Sequence, residues 1–112
     1  MKKLIFALAC GLAPLAWAQE PAAEAAYLAQ NHAAMDRMMN DMMVEPTEDI
    51  DRDFVVMMVP HHQSAIDMAR SYLHYGHNEE LRRVAQEIID WQQQEIAVMR
   101  HAIGDQSSGD EK

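Results

Sequence analysis

The chain has 112 residues, 49% of them hydrophobic, and its 9 Lys plus Arg stand against 18 Asp plus Glu for a formal net charge of -9. It is too apolar for a disordered tail and too short for more than one small domain, and its acidic balance argues against nucleic acid or anionic lipid as a partner. Four Gly and four Pro are too few for a turn-rich sandwich or barrel, and one Cys excludes a disulfide framework or a Cys-rich zinc site.

In chain order, the first expected element is a leader. Lys2 and Lys3 precede an apolar run from Leu4 to Leu15, too short to span a bilayer, and Ala16-Trp17-Ala18 offers the small residues a signal peptidase reads. Residues 1–18 therefore read as a signal peptide cleaved before Gln19, which places the protein in a bacterial periplasm. A rival reading makes Cys10 a lipidated cysteine, but the apolar run before it is very short and Ala7 stands where Leu is usual. Cleavage leaves 94 residues, no Cys, a net charge of -11, 9 of the 10 Met and all 6 His. A domain of this size without disulfides needs good helix packing, a metal or self-association.

Residues 22–43 lack Gly, Pro and Thr and predict a first helix, with Leu28, His32, Met35, Met39 and Met42 on one face. Pro46 ends it. A second helix is expected from Asp49–Asp51 to about Tyr75, stopped at Gly76, with Phe54, Met57, Met58, His61, Ala65, Met68, Ala69 and Tyr72 facing the core. Pro60 either kinks this helix or starts a new one; the apolar stripe keeps phase across it, which favours the kink. A third helix is expected after the N-cap Asn78, with a stripe of Leu81, Val84, Ala85, Ile88, Gln92, Glu95, Ile96, Met99 and Ile103, ending at Gly104. Residues 105–112 read as a disordered polar tail. The fold class is all-α, a small antiparallel bundle of three main helices.

The chemistry concentrates in the run from Met57 to Met68. Three- and four-residue spacing stacks Met57, His61 and Met68 along one column and Met58 and His62 along another. Thioether is soft and imidazole borderline, so the set suits copper, above all Cu(I), and by the same softness silver. Each Met alone reads equally as core filler and each His as a hydrogen-bonded core residue; two His among three Met in register favour metal. The first helix adds His32, Met35, Met38, Met39, Met42 and Met43, which read as metal ligands or as a flexible contact surface. On the third helix, Met99 joins the ligand candidates. Glu95 and Gln92 lie in the same apolar stripe, where a Glu can orient a metal-bound imidazole or simply hold it structurally. His74, His77, His101 and the charges at Asp36-Arg37 and Arg82-Arg83 read as solvated.

No phosphate loop, nucleophilic Cys, recognisable Ser nucleophile, Glu-x-x-His pair or covalent haem motif exists in the cleaved chain, so no enzyme is expected. Two further readings stay open: a non-enzymatic helical module whose Met face binds partner proteins, and a bundle holding haem b through one Met and one His.

The run from Asp51 to Ala69, with Phe54 and M-V-P-H-H-Q-x-A-I-D-M-A, resembles the CopM-like family of exported bacterial proteins, and the likeness continues through Glu80-Leu81, Ala85, Ile88-Ile89, Gln92, Glu95-Ile96 and Met99. The resemblance implies a ferritin-like helical bundle, periplasmic copper binding and copper tolerance. By matching position it implies Met58, His61, His62, Met68 and Met99 as ligands, and it makes a copper efflux or chaperone protein a natural partner. Three helices fall short of a four-helix bundle, so a homodimer is expected to complete the fold.

Overall fold

The computed structural model describes residues 20–105. The expected leader, its Cys10 alternative, the cleavage before Gln19 and all but the first residue of the expected tail lie outside the described residues. Three helices follow one another: α1 (Pro21–Met42), α2 (Ile50–Tyr75) and α3 (Glu79–Ala102). Each starts where local chemistry allows. Pro21, whose fixed φ suits the first turn, opens α1. The Asp49 carboxylate accepts from the backbone N–H groups of Asp51 and Arg52 at the head of α2, and Asn78 Oδ1 accepts from Leu81 N–H at the head of α3. α2 runs unbroken through Pro60, so Pro60 starts no new helix.

Short connections make neighbours antiparallel. Between α1 and α2 this shows in the pairing of Gln30 with Tyr75 and of Arg37 with Asp67. α1 and α3 both pack on α2, and their backbones do not pack against each other; the three helices form an open layer around a central α2. The core is confined to α2 and α3: Ile66, Ala69, Ala85, Ile89 and Ile96, with Val59, Tyr72, Leu73, Ile88 and Met99 against them. Ile66 is the one large side chain fully buried among the described residues. α1 is held differently, by a close approach at Asn31 and Ala34, by an edge-on contact between the Tyr27 and Tyr75 rings at 6.4 Å, and by the Arg37–Asp67 pair at 3.2 Å. That ion pair is exposed at Arg37 and contributes at most about 1 kcal/mol.

The helices stand where the sequence puts them, but their phase differs. On α1, Leu28, His32, Met35 and Met39 point outward and Asn31 and Ala34 point in. On α2, Phe54, Met57, His61 and Met68 are exposed, while Val55, His62, Ser64, Ile66, Ala69 and Ser71 are buried. On α3, Leu81, Val84 and Glu95 are exposed, and Ile89, absent from the expected stripe, is buried. The reason is close packing: small side chains let two backbones approach, and α2 must offer such a strip on each of two flanks. Arg37 and Arg82 also differ from expectation. Arg37 pairs with Asp67, and Arg82 donates to the carbonyls of Leu73 and Gly76, which would otherwise end α2 unpaired.

Gly76 caps α2 with φ -83°, ψ 150°, a conformation open to any residue. Its role is space: a Cβ there would run into the Tyr72 ring. Gly76→Ala is expected to destabilise by roughly 1–3 kcal/mol through this overpacking. Thermal unfolding of the variant checks it; a loss of a few tenths would mean that Tyr72 swings aside freely.

Candidate metal centre

His62 is the buried histidine of the layer, on the flank of α2 that meets α3. One helical turn back, the Met58 carbonyl lies 2.9 Å from its Nδ1. A carbonyl only accepts, so Nδ1 carries the proton of that bond. Nε2 faces Glu95 Oε2 on α3 at 2.6 Å. With Nδ1 committed to the Met58 carbonyl, Nε2 is the ring nitrogen that faces the carboxylate. The imidazole is largely buried, while Glu95 is 55% exposed at its side chain. The glutamate can therefore swing into water, whereas the ring is fixed.

This pair sits in the wall of an open cavity of about 440 Å3. Phe54 and Met58 line it from α2, and Trp91, Gln94, Val98 and Met99 from α3. Two thioethers, one imidazole and one carboxylate thus share one apolar recess. The helical spacing explains why: Met58 and His62 are four apart on α2, as are Trp91, Glu95 and Met99 in turn on α3. Among the described residues no three His, Cys, Asp or Glu groups cluster as a metal-holding set. Beyond His62 and Glu95, the side-chain donors lining the recess are the Met58 and Met99 thioethers and the Gln94 amide, and the thioethers favour a soft ion.

The other expected ligands are elsewhere. His61 is exposed, its ring centroid 6.3 Å from that of His62 and tilted by 59°. Met57 is exposed and lines no part of this cavity. Met68 lies in a separate groove with Tyr27, Tyr72 and Leu81. His32, Met35 and Met39 are exposed and Met42 half-buried on α1, and none of them lines the recess. Gln92 is half-buried, does not bond His62 and does not line the cavity. Glu95 does meet His62, but at Nε2, the nitrogen a metal would need; the orienting acceptor is the Met58 carbonyl instead. Reading the sequence for ligands alone missed Phe54, Trp91 and Val98, the apolar wall. Their signal was the i, i+4 spacing of Phe54 to Met58 and of Trp91 to Glu95.

No helix among the described residues is long and apolar enough to cross a membrane. No curated protein matches the sequence significantly. A family model described as "Domain of unknown function (DUF305)" matches residues 13–103, most of the chain, and the protein belongs to that family.

Proposed function

We propose that this protein binds and buffers Cu(I), without turnover, in the compartment to which its leader directs it, as the likeness to CopM-like proteins suggests. The observation that carries the reading is the gathering of Met58, Met99 and His62 Nε2 around one recess, with the His62 ring already oriented by the Met58 carbonyl. A backbone carbonyl on one ring nitrogen is the usual device that leaves the other free to ligate. Copper at Nε2 takes the place that Glu95 Oε2 holds there. Glu95 then either follows the metal or turns to solvent. The apolar wall of Phe54, Trp91 and Val98 limits water around a weakly solvated thioether-bound ion. Silver, equally soft, fits the same donors.

The test is titration with Cu(I) against a competing chelator, read by tryptophan fluorescence. In a chain beginning at Gln19, Trp91 is the sole tryptophan, and it lines the cavity. Stoichiometric quenching that reverses with chelator is the expected result. Affinity unchanged in His62→Ala would remove His62 from the site, and fluorescence indifferent to copper would place any metal outside the recess.

A further inference from the structure

The layer has one face that nothing in the described chain covers. Phe54, Met58, His61, Ala65, Met68 and Tyr72 recur along α2 at three- and four-residue spacing, so they form a single stripe. The His62 recess, with Phe54 and Met58, lies at one end of that stripe. At the other end an apolar groove of about 320 Å3 opens between α1 and α3, walled by Tyr27, Met68, Tyr72, Leu81 and Val84. Within the face, Phe54, Met68, Leu81, Val84, Trp91 and Val98 remain 37–68% exposed. Isolated exposed apolar residues are ordinary; a continuous face of them is not.

We infer that this face is covered by a second copy of the chain, forming a two-fold homodimer. Two observations select this occupant. First, the area fits. These six side chains present on the order of 700 Å2, close to what each partner of a standard-sized interface contributes. Second, the core within one chain is small: among the described residues one large side chain is fully buried, which is little for a disulfide-free domain. Two copies meeting on this face would complete a bundle, and a two-fold axis needs no second kind of surface. The pairing accounts for Met68, which sits in the groove away from His62. The face takes in Phe54, Trp91 and Val98 of the recess wall, but the pairing rests on apolar burial and not on a bound metal. Because each copy is strongly acidic, added salt should tighten the dimer by screening repulsion.

The experiment is sedimentation of the chain beginning at Gln19, whose residues 20–105 are the folded unit described above, over a wide concentration range and at low and high salt. The expected result is a species of twice the chain mass, more fully formed at high salt. The double variant L81E/V84E places charges at positions already exposed in one chain, so it should keep its helix content and become monomeric. If that variant unfolds, spin labels on V84C decide the matter. The chain from Gln19 has no other Cys, and a short label-to-label distance between copies supports the face. A wild-type monomer at every concentration overturns the inference. So does a dimer in which L81E/V84E changes nothing, or one whose V84C labels lie far apart.

Discussion

Replacing His62 with alanine is expected to abolish most Cu(I) affinity, with a larger loss than any other single substitution in the recess. His62 is the buried donor whose orientation is fixed on both sides, by the Met58 carbonyl and by Glu95. Removing the ring leaves two thioethers and an exposed carboxylate, one donor fewer and without the one fixed in place. Met58→Leu and Met99→Leu keep core volume, so each should weaken Cu(I) without unfolding the layer. Glu95→Gln tests the other side of the ring. Loss of an outer partner typically costs roughly 10–100-fold in metal affinity; here it also removes the carboxylate that faces Nε2. If Glu95 chiefly competes with the metal, Glu95→Gln will bind copper more tightly. If it follows the metal, binding will weaken by about that range. His61→Ala, at an exposed ring outside the cavity, should have little effect. Equal losses for His61→Ala and His62→Ala would show that the metal sits outside the recess.

The sequence was legible in its punctuation. Pro46, Asp49, Asn78 and Gly76 mark helix ends through local hydrogen bonding and sterics, and those ends stand within a few residues of expectation. Phase was harder to read. Periodicity identifies the most apolar face of a helix, and on α2 that face is Phe54, Met57, His61 and Met68. The contacts inside one chain use the small residues of the expected stripes, Ala69 on α2 and Ala85 on α3, and others outside them: Asn31 and Ala34 on α1, Ser64 and Ser71 on α2. Such residues carry little hydrophobic signal, yet they set how closely backbones approach. The same misreading displaced the ligands. His62 was placed in the second column and His61 in the core, whereas burial makes His62 the central residue. Glu95 was visible as a polar residue in an apolar stripe, because such a residue needs a partner. Which ring nitrogen it would meet depends on the register between α2 and α3, and no local pattern carries that.

Ile66→Ala is expected to give the largest loss of stability in the protein. Ile66 is 1% exposed at the centre of the α2–α3 core, against Ala69, Ala85, Ile89 and Ile96. Two of those neighbours are alanines, already at minimal size, so the walls have little side chain with which to close a cavity. Truncating a buried Ile costs about 2–5 kcal/mol, and the high end applies where a site cannot collapse. Small domains total only about 5–15 kcal/mol, and near this size each kcal/mol moves the melting temperature by about 4–8 °C. The variant should therefore melt on the order of 10–30 °C lower, or fail to fold. Met68→Leu on the uncovered face is the matched control. It keeps volume at a side chain 37% exposed, and it should shift melting little in a single chain. Both must be measured at one protein concentration, because a dimer makes melting concentration-dependent. Comparable losses for the two variants would mean that the uncovered face holds the fold together as firmly as the core around Ile66, and that the folded unit is the pair rather than the chain.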